Sequence, residues 1–169
     1  RIPASYLVGQ ENQGWYQLAV ALDFERSSIA GSARARRWWE KLIGFADEQP
    51  QFVSANPAVR HRLAEIGIEI DIGKYLSYRV ASLQQAGQIP NYEATIAKLF
   101  SSELGQRLSQ TGMDLLGIYG QLHPKSKYAY LNGGVERYYQ ISVSETIAGG
   151  TSEIMRGVAA IRGLGLPKG

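Results

Sequence analysis

Long helices, each apolar along one side and joined by short turns, predict an all-α fold, an up-down four-helix bundle. Three observations carry the expectation. Apolar residues recur three, four and seven positions apart over stretches too long for strands. Glycine-, proline- or asparagine-containing breaks separate those stretches. The chain has 169 residues, 44% of them hydrophobic, enough for one domain with a proper core.

Residues 1–13 read as a lead-in, because Arg1–Gln10 contains Pro3 and Gly9 and has no helical period. A helical unit is expected over residues 14–169. One long helix is predicted from Gly14 to about Ala46, with Trp15, Leu18, Leu22, Ile29 and Ala33 on one stripe. Glu25 falls on that stripe, three residues after Leu22 and four before Ile29. A carboxylate on an apolar side loses water and its pKa rises. Arg26 adjoins it, Asp23 lies toward another face, and Trp38 and Trp39 read as packing residues.

Asp47–Ala55, with Pro50, reads as a loop. Asn56-Pro57 then offers an N-cap and a first-turn proline for a helix running to about Gln85. Val59, Leu63, Ile66, Ile70, Gly73, Ser77 and Val80 mark its inner side. The alternation from Ile66 to Ile72 also fits a strand, but the helical period of its flanks favours helix. Gly87–Asn91 is a turn whose Asn91 can cap a third helix, Tyr92–Leu116, with Tyr92, Ile96, Leu99, Phe100, Leu104, Leu108 and Leu115 as its apolar face. Gly117–Gly134 is loop-rich. A fourth helix is expected over Val135–Ile147, broken at a glycine pair and resuming to about Arg162.

The broken stretch, Ile147–Arg156, is IAGGTSEIMR. Paired glycines at 149 and 150 interrupt a helix, and Thr151 or Ser152 can cap the next one. Free N–H groups at such a start attract anions and carbonyl oxygens, and glycines let a flat ligand lie close to the backbone. The plain alternative is a helix–turn–helix joint that binds nothing.

Composition removes other classes. With no cysteine, disulfides and thiol catalysis are excluded. His61 and His123 lack metal-ligand spacing, so no metal is expected. A net charge of +3, spread over scattered arginines, gives little support to nucleic-acid binding. No membrane span and a cytoplasmic location are expected, because no apolar run of about 18 residues and no signal-like segment is present. The absence of an initiator methionine at Arg1 suggests a fragment or a processed piece. Apolar residues on several helix faces predict an oligomer.

The turn, together with Arg162-Gly163-Leu164-Gly165-Leu166-Pro167, resembles the C-terminal segment of the flavin-dependent acyl-CoA dehydrogenases. Further matches follow in the family's order: Ile2-Pro3 and Glu11-Asn12-Gln13-Gly14-Trp15, Leu22–Arg26, Ala97–Leu104, Leu116–Gly120, and Val135-Glu136-Arg137 with Tyr139. The resemblance implies the family's C-terminal four-helix bundle, with the lead-in arriving from an upstream β domain. It implies FAD as cofactor and α,β-dehydrogenation of an acyl-CoA. An electron acceptor such as an electron-transfer flavoprotein and assembly with like or homologous subunits go with it. This piece alone would be inactive.

Many family members carry the catalytic glutamate at the position of Gly149, and glycine cannot act as a base. Others hold it on the first bundle helix, where Glu25 stands, so the resemblance makes Glu25 the catalytic residue. The alternative for Glu25 is a helix glutamate paired with an arginine. Asp23 and Arg26 match substrate-binding positions, and Thr151, Glu153 and Gly117 match cofactor-binding ones. The family's arginine–phenylalanine–glycine motif is missing from Asp47–Arg60, the expected glutamine is Asp114, and an expected glycine is Ile118. An acidic group facing a pyrophosphate repels it. These departures leave two readings open, a catalytic dehydrogenase subunit using Glu25 and a structural partner subunit in a heteromeric dehydrogenase.

Overall fold

The structure, a computed structural model, describes residues 2–26 and 28–168. Arg1, Ser27 and Gly169, which fall in the expected lead-in, first helix and tail, lie outside the described residues. No strand occurs among the described residues, so the Ile66–Ile72 alternation is helical. Seven α-helices follow in order: α1 Gly14–Glu25, α2 Ile29–Glu48, α3 Pro50–Ala55, α4 Ala58–Gln85, α5 Tyr92–Leu116, α6 Gly134–Glu145 and α7 Ser152–Val158. The long helices α2, α4, α5 and α6 form the bundle, and α5 is its centre, touching α1, α2, α3, α4, α6 and α7.

The inner side of α4 is the one the periodicity marks: Val59, Leu63, Ile66, Ile70, Gly73, Ser77 and Val80 are all buried. Val59, Leu63, Ile66 and Ile70 meet Leu42 and Phe45 of α2, Leu104, Leu108 and Leu115 of α5, and Val135 and Tyr138 of α6, while Val80 packs with Ala94 and Ala97 of α5. The buried face of α5 differs from its apolar stripe. Tyr92, Ile96, Leu99 and Phe100 are only half-buried, while Ala94, Thr95, Ala97, Lys98, Ser102, Gly105, Ser109 and Gly112 are buried. A central helix is enclosed on several sides, so small residues let its neighbours approach. The Ser109 and Ser142 hydroxyls meet at 2.9 Å between α5 and α6.

The expected single helix from Gly14 to Ala46 is two helices. Ser28 has φ 59° and its hydroxyl donates to the Arg26 carbonyl at 3.2 Å. The break lets the two pieces present different faces. Helix α1 buries only Asp23, whereas α2 buries Ser32, Ala35, Leu42 and Phe45. The expected loop at Asp47–Ala55 contains α3, with Pro50 in its first turn. Phe52 explains it: its half-buried ring packs edge-on against Phe45 and Tyr130, at 5.1 and 5.3 Å, and this packing orders the segment. Neither Asn56 nor Asn91 donates or accepts a side-chain cap bond, and α4 begins at Ala58. The last helix runs as α7 and then a single π turn over Ala159–Gly163.

Candidate functional site

The site gathers where the end of α1, the start of α5 and the turn before α7 meet. Gly149 and Gly150 take φ 68° and 113°, a region that disfavours any side chain. The Thr146 carbonyl accepts from Ser152 N–H at 3.1 Å and closes the loop between the helices. Thr151 is extended and its Oγ1 accepts from Ile154 N–H at 3.4 Å, so the expected N-cap forms.

Two cationic side chains hold consecutive carbonyls of this turn. Arg26 donates to the Gly149 carbonyl from Nε at 3.1 Å and from Nη2 at 2.8 Å. Lys98 Nζ donates to the Gly150 carbonyl at 2.6 Å. Arg26 is itself oriented by Asp23, Nη1 to Oδ1 at 3.0 Å, and the other Asp23 oxygen accepts from Asn91 Nδ2 at 3.1 Å. Burial pushes the Asp23 carboxyl above its usual range, outweighing the opposing pull of Arg26, Arg162 and the Asn91 amide. Burial, with repulsion from Arg26, lowers the Lys98 ammonium, against the weaker attraction of Glu103 and Glu145. The amides of Gly149, Gly150 and Thr151 have no backbone or side-chain acceptor among the described residues.

The structure brings Asp23, Arg26, Thr151 and the glycine turn together. It does so without burying Glu25, which stands exposed at the end of α1, next to Arg26. The burial expected of Glu25 therefore falls to Asp23 in this chain, because the stripe that carries Glu25 is itself open: Trp15 is 77% and Leu18 54% exposed. Glu153 is exposed in the first turn of α7, where its own backbone N–H and the Thr151 hydroxyl hold its carboxyl below the usual range. Gly117 is remote from this turn. It ends α5, nineteen residues beyond Lys98 or about 28 Å along the helix, and lines a groove with Asp114 and Ile118. There Asp114 is paired with Arg62 and accepts from Gln110 at 3.1 Å. Lys98 and Asn91 escape a reading by periodicity. The one available signal is a lysine between Ala97 and Leu99 on a face otherwise made of small residues.

His61 is exposed, and His123 Nδ1 accepts from Lys125 N–H at 3.2 Å within its own loop. Among the described residues no cluster of three histidine, aspartate or glutamate side chains could hold a metal, and no helix is long and apolar enough to cross a membrane.

An all-helical bundle whose last helix is entered through a pinned glycine turn matches a known class of domain. Residues 12–164 match the model of the acyl-CoA dehydrogenase C-terminal domain, and the chain belongs to that family. It is 30% identical over 178 residues to acyl-CoA dehydrogenase FadE26 of Mycobacterium tuberculosis, covering 99% of this chain and 44% of FadE26. Among solved structures it is similar to a Tcur3481-Tcur3483 steroid ACAD G363A variant, with TM-score 0.89 and 28% identity over 99% of this chain and 44% of that one. The ChsE4-ChsE5 complex from Mycobacterium tuberculosis matches with TM-score 0.83 and 28% identity over the same shares. The chain thus spans less than half the length of these relatives.

Proposed function

We propose that the protein carrying this chain is an FAD-dependent acyl-CoA dehydrogenase that forms the α,β double bond of an acyl-CoA thioester, with Glu25 as base. The observation that carries the reading is the pinned turn. Its carbonyls are engaged by Arg26 and Lys98, while its Gly149, Gly150 and Thr151 amides have no acceptor among the described residues. Those amides offer hydrogen bonds to a carbonyl oxygen, which acidifies the thioester α proton. Glu25, one residue before Arg26, takes that proton. Asp23 serves the substrate indirectly, by orienting the Arg26 guanidinium against the turn.

The turn fits a flat cofactor. A Cβ at Gly149 would meet nothing within 4 Å, so the backbone is open to close approach, and Thr151 and Glu153 flank it. Bound FAD would accept the hydride leaving the β carbon. The Gly117 groove does not fit a pyrophosphate, because Asp114 adds an anion there and Arg62 is already committed to it. That disagreement supports a heteromer, in which a homologous subunit supplies the cofactor contacts that this chain lacks. The paired names of the Tcur3481-Tcur3483 and ChsE4-ChsE5 structures point the same way. The former, called a steroid ACAD, makes a steroidal acyl-CoA the substrate to test beside straight-chain ones. An electron-transfer flavoprotein would reoxidise the flavin.

The second reading, a structural subunit without chemistry of its own, is favoured by the exposure of Glu25. Flavin content and acyl-CoA turnover of the full-length protein, alone and co-expressed with a homologous subunit, separate the two. Flavin kept but turnover lost on Glu25→Gln supports the first. Turnover that depends wholly on the other subunit's carboxylate supports the second. The 169-residue chain by itself should show no turnover.

A further inference from the structure

Lys98 is a cation where a cation is costly. Its residue is 9% exposed, and no carboxylate lies in ion-pair contact with it among the described residues. Arg26 is near enough to repel it. Burying an ammonium without a counter-ion is unfavourable, and an apolar side chain of the same length would fill the space without that penalty. What Lys98 does instead is donate to the Gly150 carbonyl at 2.6 Å.

The direction of that bond has a consequence for the turn. In a planar trans peptide the N–H points opposite to the C=O of the same unit. The chain contains no cis peptide bond among its described residues. Arg26, by holding the Gly149 carbonyl, therefore aims the Gly150 N–H away from the guanidinium. Lys98, by holding the Gly150 carbonyl, aims the Thr151 N–H away from α5. With two positive φ angles in succession, the turn has little intrinsic preference to keep either peptide so oriented.

We propose that Lys98 is a positioning residue: together with Arg26 it forms a two-point clamp that aims the Gly150 and Thr151 amides at an oxygen acceptor of the bound ligand. The inference rests on the acyl-CoA dehydrogenase reading for the ligand's identity, the acceptor being a thioester carbonyl or a flavin oxygen. The clamp itself rests on the geometry alone. The buried Met155 side chain lies against Gly150 on the inner side of the turn.

The test compares Lys98→Met and Lys98→Arg with the wild type in the full-length protein, assembled with its partner subunit where it has one. Amide hydrogen exchange over residues 147–154 is read first, in both flavin-loaded and flavin-free protein. Lys98→Met should speed exchange of the hydrogen-bonded Ser152 and Ile154 amides by about tenfold or more while amides of α4 keep their wild-type rates. In the loaded enzyme kcat should fall about tenfold or more with KM within about threefold, the split expected when reacting groups are misaligned and binding is kept. Lys98→Arg should restore most of both. A shifted flavin absorption spectrum before substrate is added assigns the acceptor to the flavin. A shift that appears only with acyl-CoA assigns it to the thioester.

Wild-type exchange at the turn of Lys98→Met would overturn the clamp, and so would an equal rise in every helix or no recovery with arginine. Should Lys98→Met fail to fold, Lys98→Arg decides: turn exchange close to wild type supports the clamp, and exchange as fast as in an unfolded peptide refutes it. If the wild type binds no flavin in any assembly, the dehydrogenase reading falls while the flavin-free exchange comparison still judges the clamp.

Discussion

Asp23 and Glu25 stand two residues apart in different surroundings. Asp23 is 6% exposed with both oxygens engaged, and Glu25 is exposed at the helix end. A buried carboxylate bonded on both oxygens orders its neighbours, which leaves Glu25 as the base to test. Glu25→Gln in the full-length enzyme keeps shape and hydrogen bonding but removes proton acceptance. Turnover should fall by about a hundredfold or more with acyl-CoA binding little changed. Glu153→Gln is the matched control and should alter flavin affinity more than the chemical step. Near-normal turnover of a flavin-replete Glu25→Gln protein would remove Glu25 as base.

Tyr138 offers a second test at the same scale. It is buried, stacked on Trp38 at 5.3 Å, and burial, helped by the Glu145 carboxylate, pushes its phenol up to about 12. The folded pKa lies above the unfolded one, so the folded state binds the proton more tightly. The contribution is intact below about pH 10 and is lost as pH rises toward 12. Over that window Tyr138 should remove about 2–3 kcal/mol of stability. Urea unfolding of Tyr138→Phe should show a shallower alkaline loss than the wild type. Parallel curves would mean that Tyr138 ionises without coupling to the fold.

At the scale of elements, the junction between α6 and α7 depends on two glycines for different reasons. Gly150 has φ 113°, and a Cβ there would press on Met155 Cε, the flexible end of that side chain, so conformation resists a side chain and Met155 must also shift to admit one. Gly149 has φ 68° with open space around it, so conformation alone resists. Gly150→Ala should cost roughly 2–4 kcal/mol and Gly149→Ala about 1 kcal/mol, read as the shift in denaturant midpoint. Equal costs would show that Met155 yields and that space is not the limit. The break between α1 and α2 works the other way. No glycine or proline announces it, and Ser28 takes the left-handed conformation because Arg26 faces the turn while α2 packs on α4 and α5.

Across the whole molecule, large apolar side chains remain open on several helices, most of all on α1 and α4. Trp15, Tyr16 and Leu18 of α1 are 77%, 67% and 54% exposed, and Ile68 and Tyr75, one face of α4, are 65% and 68%. Scattered apolar exposure is ordinary, but rows at helical spacing are the form of an interface. Sedimentation of the full-length protein at micromolar concentration should show an oligomer, either of itself or with a homologous subunit. A monomer under both conditions would count against assembly.

Residue pattern alone determined the helical class, the inner face of α4, the glycine break and its threonine cap, because each follows from local periodicity or backbone preference. The family was legible in the same way, in short motifs that kept their order. Only the tertiary structure decided which carboxylate is buried, since the stripe bearing Glu25 is left largely exposed while Asp23 meets Arg26 and Asn91. It also decided the burial of Lys98. Enclosure of α5 depends on how many neighbours surround it, a property of three-dimensional packing that no periodicity within α5 encodes. The pairing of Lys98 with Gly150, 52 residues away, exists only once the chain has closed on itself.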